Sequence, residues 1–221
     1  MMKKIIKLIS DHSQISLIVS ILLMIIFAPY YWNAPFANFF NFSFLAFIIL
    51  SAILTMKKSS IELKKLSKAG YFVIALSLIS AITDNSNIEL VTRILFVLFF
   101  ILVAINLLIG IVKSKEVDTE VIFSAVAVYV LFGFCGAVIA AVIVAFEPEA
   151  FSLASNYASQ FHQLLYFSYV TITTTGYGDV LPLKPIARTH AIFLALFGQL
   201  YLTVIIGILI GKYLSGGKHS S

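Results

Sequence analysis

Residues 160–179 read Gln-Phe-His-Gln-Leu-Leu-Tyr-Phe-Ser-Tyr-Val-Thr-Ile-Thr-Thr-Thr-Gly-Tyr-Gly-Asp. The first part, 160–173, is apolar and aromatic but only about three to four turns long, so as a helix it reaches roughly 20 Å. A bilayer core is about 30 Å thick, and this stretch cannot cross it. The remainder is non-helical by composition. Long apolar runs lie on both sides, at 121–146 and 187–214. A short helix between two spans, followed by non-helical chain, reads as a re-entrant segment. Irregular backbone at membrane depth is tolerated only where it is buried in protein or lines a water-filled cavity.

Composition places the rest of the chain in the same solvent. Of 221 residues, 61% are hydrophobic and 11% charged, against about 25% charged in an ordinary soluble domain. Further apolar runs lie at 15–27, 39–56, 71–82 and 90–112. The first and third are short, but their flanks extend them into the interface, where aromatic and Lys side chains sit comfortably. The expected fold is an all-α integral membrane protein of six transmembrane helices, with the re-entrant helix between the fifth and sixth. Residues 1–115 would form a four-helix N-terminal membrane unit and 116–221 a second unit. Cys135 is the only cysteine, so no disulfide within the chain is possible.

The basic residues give an independent check. Lys3, Lys4, Lys7, Lys57, Lys58, Lys64, Lys65, Lys68, Lys113, Lys115, Lys212 and Lys218 all fall on one face if there are six spans, and they are twelve of the fifteen Lys and Arg residues. By the positive-inside rule that face is the cytoplasm, which puts both termini inside. The opposite face receives 33–35, 84–87 and 147–182. The net charge of +5 is thereby a topological signal and not one for nucleic acid.

The heptad 173–179 carries the chemistry. A pore that passes dehydrated cations must replace water oxygens with protein oxygens, and rings of backbone carbonyls do this. Aiming successive carbonyls the same way needs backbone angles that a Cβ disfavours, and Gly176 and Gly178 supply them. Thr174 can add its hydroxyl at the inner end, while Tyr177 turns its ring outward against the short helix.

With these residues the chain resembles the potassium-channel superfamily, whose filter reads Thr-x-Gly-Tyr-Gly. Here x is Thr175, where Val or Ile is usual, and its hydroxyl has a place to bond behind the filter. Tyr166 and Phe167 stand where the family carries an aromatic pair around the filter. Val170 stands where some members have Glu and others Val, and Asp179 matches the acidic residue at the outer mouth. Gly198, twenty residues after Gly178, occupies the place of an inner-helix hinge glycine. The resemblance covers roughly 116–214. It implies a homotetramer in which three further copies complete one pore and K⁺ is held at Thr174, Thr175, Gly176, Tyr177 and Gly178. It also implies location in a cell membrane, and residue usage suggests a bacterial inner membrane.

At helical spacing beyond Gly198, the residues Gln199, Leu202, Thr203, Ile206, Ile210 and Leu214 fall near one face. That face is expected to line a cavity below the filter. Ile206, Ile210 and Leu214 would narrow it to an apolar constriction that closes by dewetting. Gly207 and Gly211 have the spacing that lets helices approach closely in lipid.

The first four spans hold no comparable motif. The run 90–112 contains one basic residue, Arg93, whereas voltage sensing needs about three to four charges per subunit. Arg93 is expected to pair with Glu89 one turn earlier. His162 and His190 are packing or interfacial residues by default, although either would titrate near neutral pH. No metal cluster, nucleophile–base pair or phosphate loop suggests an enzyme, no cofactor is implied beyond the permeant ion, and any regulatory partner is unidentified. The competing reading is a weakly selective monovalent cation channel, kept open by Thr175. A potassium-uptake transporter subunit is disfavoured because such chains carry four pore loops.

Overall fold

The computed structural model describes residues 13–31, 37–56, 61–83, 85–114, 116–154 and 160–216. Lys3, Lys4, Lys7, Lys57, Lys58, Lys115 and Lys218 lie outside the described residues, as do 33–35 and Asp84. Among the described residues the chain folds into seven helices: α1 (Ser13–Tyr31), α2 (Ala37–Met56), α3 (Ile61–Thr83), α4 (Ser86–Lys113), α5 (Thr119–Phe146), α6 (Gln160–Ile172) and α7 (Pro185–Gly216).

Four of these carry stretches long and apolar enough to cross a membrane: Leu66–Thr83, Ser86–Lys113, Thr119–Phe146 and Pro185–Leu214. The apolar stretches of α1 and α2, Ser13–Phe27 and Phe42–Thr55, are shorter. At 1.5 Å per residue each reaches only about 20 Å. The third helix begins ten residues before the apolar run that marked it. Its first turns contain Glu62, Leu63, Lys64 and Lys65, which are good helix formers whatever their charge.

Helix starts are fixed by caps. The Asn85 side chain accepts from the backbone N–H groups of Asn87 and Ile88 at 3.0 and 3.3 Å, and Glu89 follows in the first turn of α4. The Asp118 carboxylate accepts from the Val121 N–H at 2.8 Å and starts α5. Each cap satisfies donors that the helix itself leaves open.

The packing is centred on α5. α4 lies along one side of it and α1 along another, while α6 sits between α5 and α7. Phe96 and Phe100 of α4 lie tilted against each other at 4.4 Å between ring centroids, and Phe96 meets Phe134 of α5 edge-on at 5.5 Å. On the other side Phe132 of α5 stacks on Phe197 of α7 at 3.7 Å. Close approach of α6 is possible because α5 has glycines there. A Cβ on Gly133 would meet the Tyr169 ring at 2.5 Å, and one on Gly136 would meet Ser168 Oγ at 2.4 Å.

At the C-terminal end of α4, the Lys212 ammonium of α7 donates to the carbonyls of Ile111, Val112 and Ser114 at 2.8, 2.8 and 2.6 Å. A helix end carries unsatisfied carbonyls and a partial negative charge, so this is where a cation is most favourable.

Candidate functional site

The helix α6 is tied to α5 by polar side chains reaching backbone carbonyls. Ser168 Oγ donates to the Gly133 carbonyl and Tyr169 OH to the Val130 carbonyl at 2.7 Å. In the reverse direction Tyr129 OH donates to the Ile172 carbonyl, the last residue of α6, at 3.1 Å. These bonds fix both the height and the rotation of α6, and with them the point at which the chain leaves it. Ahead of α6, the Gln163 side chain bonds both the N–H and the carbonyl of Ala154, at 2.8 and 2.9 Å. An isolated bridge pairs Phe151 with Pro182, so the segments before α6 and after the filter are stapled together.

The segment after α6 has an alternating backbone. Thr174, Gly176 and Gly178 have φ of 59°, 57° and 78°, and Thr174 is the only non-glycine residue with positive φ among those described. In an extended strand successive carbonyls point to opposite sides, and alternating the sign of φ lets them share one side. The two glycines do this at little cost, whereas a residue with a Cβ is strained there by about 1–2 kcal/mol. The strain at Thr174 is held by its surroundings. The N–H groups of Thr175 and Gly176 both donate to the Val170 carbonyl, at 3.0 and 3.2 Å, and Thr174 N–H donates to Thr171. Thr173 Oγ1 bonds Tyr169 O at 2.7 Å and Thr175 Oγ1 at 3.0 Å. The Thr175 hydroxyl is therefore engaged locally by a neighbouring side chain.

The outer end is held by Tyr166 and Asp179. Tyr166 OH donates to Asp179 Oδ2 at 2.7 Å, and the Tyr166 ring lies parallel to Tyr177 with centroids 6.4 Å apart. That hydrogen bond holds the Asp179 carboxyl below its ordinary 3.8 and, together with burial and the carboxylate's charge, pushes the Tyr166 hydroxyl up to about 12. Phe167 is buried against Phe151 at 5.0 Å, edge-on, behind the filter. Val170 contributes through its backbone carbonyl.

Gly198 has a packing role. A Cβ built there would lie 2.0 Å from the Ile172 carbonyl oxygen, so only glycine lets α7 pass the end of α6 at this distance. The next residue, Gln199, reaches the filter: its Nε2 donates to Thr174 Oγ1 at 3.2 Å. Beyond it, Tyr201 and Ile205 face inward, and Tyr201 OH donates to the Ala125 carbonyl at 2.7 Å. Leu202, Thr203, Ile206, Ile210 and Leu214 are exposed. Among the described residues, nothing lies within 4 Å of a Cβ built on Gly207 or Gly211, so neither packs a helix there.

Sequence reading singled out Gly176 and Gly178, which have positive φ, and Tyr166, whose ring lies beside Tyr177. It missed Ser168, Tyr169, Tyr129 and Tyr201, whose hydroxyls join helices. Polar atoms inside apolar runs were the available signal, because in lipid each needs a protein partner. His190 is buried with its ring Nε2 at 3.0 Å from the Gly136 carbonyl, a packing role. Arg93 pairs with Glu89 as expected, and its second nitrogen donates to the Ala141 carbonyl of α5 at 3.4 Å.

An apolar helical scaffold that holds a short helix and a strained glycine-bearing segment between two long helices fits an integral membrane protein of the channel type. Residues 121–214, a little under half of the chain, match the model of a family described as an ion channel. The matched stretch takes in nearly all of α5, the whole of α6, the filter segment and α7 to its last turn. The match supports ion-channel activity, and the long apolar helices support a membrane location. No curated protein and no solved structure matches the chain.

Proposed function

We propose that this chain is one subunit of a potassium-selective channel in which four copies surround a single pore. The observation that carries the reading is the alternation of positive φ at Thr174, Gly176 and Gly178, the backbone state that lines up carbonyl oxygens as ligands for a dehydrated cation. Four such segments give stacked rings of oxygen from Thr174, Thr175, Gly176 and Tyr177, with Gly178 closing the outer end. Asp179 and Tyr166 brace that end. Potassium is favoured over smaller cations because the family's tyrosine, Tyr177, is present and packed against Tyr166.

In this reading α1 to α5 and α7 are the six spans, α6 is the re-entrant helix, and both termini are cytoplasmic. The exposed face of α7 from Gln199 to Leu214 lines the cavity and narrows at Ile206, Ile210 and Leu214, and Gly198 is where α7 would bend. The N-terminal helices surround the pore unit without sensing voltage, since Arg93 is already held by Glu89 and the Ala141 carbonyl.

Purified protein reconstituted in K⁺-loaded liposomes is expected to pass K⁺, to be blocked by Ba²⁺, and to show a reversal potential near the K⁺ equilibrium value under opposed K⁺ and Na⁺ gradients. A reversal potential midway between the two ions would replace this reading with the weakly selective cation channel. A stable dimer with no flux would end both.

A further inference from the structure

We propose that Gln199 is a positioning residue for the innermost cation site of the pore, and that its side-chain carbonyl adds a ligand ring just below the filter. This rests on the potassium-channel reading above. The placement begins with Gly198, whose missing Cβ lets the α7 backbone come against the last carbonyl of α6. That contact brings the next side chain under the filter, where Gln199 Nε2 donates to Thr174 Oγ1 at 3.2 Å.

An amide nitrogen has no lone pair to offer, so the threonine oxygen accepts. One lone pair of Thr174 Oγ1 is thereby occupied and its proton is turned away from Gln199, leaving the second lone pair with a fixed direction. The same residue is the one held at φ 59°, so both its backbone and its hydroxyl are set before any ion arrives. A ligand oxygen already oriented loses less freedom on binding than one that must be ordered. Gln199 Oε1 bonds no group of the chain among the described residues, and the side chain is exposed. With four copies, four amide carbonyls stand at the mouth of the filter. They are the same chemical ligand that the filter itself uses, suited to a monovalent cation shedding water or to a divalent cation of potassium's size.

Ba²⁺ is the probe for this site. Planar-bilayer currents are recorded with Ba²⁺ on the side that bears the C-terminal end of α7. Gln199→Met, close in size but unable to donate or to ligate through oxygen, is expected to weaken block by roughly three- to tenfold, the loss of about one hydrogen bond. Gln199→Glu, which adds a charged oxygen at the same place, is expected to tighten it. Should Gln199→Met fail to assemble, Gln199→Glu carries the test alone. A purely structural role would lower the yield of assembled channels and leave block per channel unchanged. Block constants in the variants within about twofold of the unaltered channel, with K⁺ current intact, would overturn this assignment and leave the channel reading standing. Absence of K⁺ current in the unaltered protein would instead take down the channel reading, and this proposal with it.

Discussion

The two halves of the chain are held together by different kinds of bond. From α5 onward, side-chain hydroxyls and amides cross between elements: Ser168, Tyr169, Tyr129 and Tyr201 each reach a carbonyl of another helix, and Gln163 and Tyr166 clamp the two ends of the α6–filter segment. Among the described residues of the N-terminal half, several hydroxyls turn back onto their own helix. Ser20 bonds Leu17, Thr55 bonds Ala52, Ser77 bonds Ile74 and Thr92 bonds Ile88. Helix-to-helix polar bonds there include Ser16 with Ser51 and Gln14 with Glu120. Apolar packing is tolerant of small slides, whereas a hydrogen bond weakens steeply with angle and distance. The C-terminal half is built to fix positions, and the N-terminal half to fill space.

The largest break in this contrast is expected from glycines. Gly198→Ala forces a methyl group against the Ile172 carbonyl oxygen, 2.0 Å from the built Cβ, and overpacking of this kind costs about 1–3 kcal/mol or more per chain. Gly110→Ala, in α4, meets nothing within 4 Å and gains helix propensity of up to about 1 kcal/mol. Thermal unfolding followed by size-exclusion fluorescence should show a clear loss for the first and none for the second. Equal loss in both would erase the distinction between the halves.

A middle-sized effect is expected at the outer mouth. Tyr166→Phe removes the donor to Asp179 and, on the channel reading proposed above, should shorten the life of the conducting state without changing its ion preference. The pH dependence has a definite sign. The folded Asp179 carboxyl titrates below its ordinary 3.8, so the bond's contribution is complete above that value and is lost as pH falls through the lowered one. Acidification into that range should make the unaltered protein behave like Tyr166→Phe and leave Tyr166→Phe itself unmoved. If the variant shows the same acid response as the parent, the bond is not what holds the mouth.

The smallest effect is expected for Ser77→Ala. The hydroxyl bonds a carbonyl of its own helix, so its loss should shift stability by no more than about 0.5 kcal/mol, the ordinary range for a substitution away from a special contact. A larger loss in thermal unfolding would show that the N-terminal helices depend on polar positions after all.

What the sequence revealed follows the same division. The positive φ of Gly176 and Gly178, the short helix before them and the helices α4, α5 and α7 were legible because apolar runs set the helix lengths and the glycine spacing demanded a special backbone. The left-handed state of Thr174 was not legible, since nothing in a threonine announces positive φ; the tertiary setting imposes it. The ten residues by which α3 precedes its apolar run were hidden for a different reason. Hydropathy reports where a helix meets lipid, not where the helix begins, and a Lys- and Glu-rich turn reads as loop. The cap at Asp118 was available from local sequence, with a carboxylate immediately before a long apolar run. Lys212 was visible only as a charge marking one face, because the carbonyls that receive it lie about a hundred residues earlier in the chain.

That lysine adds a tie between the N-terminal helices and the end of α7. Its ammonium holds three carbonyls at the end of α4, so α7 cannot swing its last turns sideways without dragging α4 along or stripping those oxygens bare. The N-terminal helices are thereby ballast yoked to the C-terminal end of α7, and their mass shares in setting how far that end can travel.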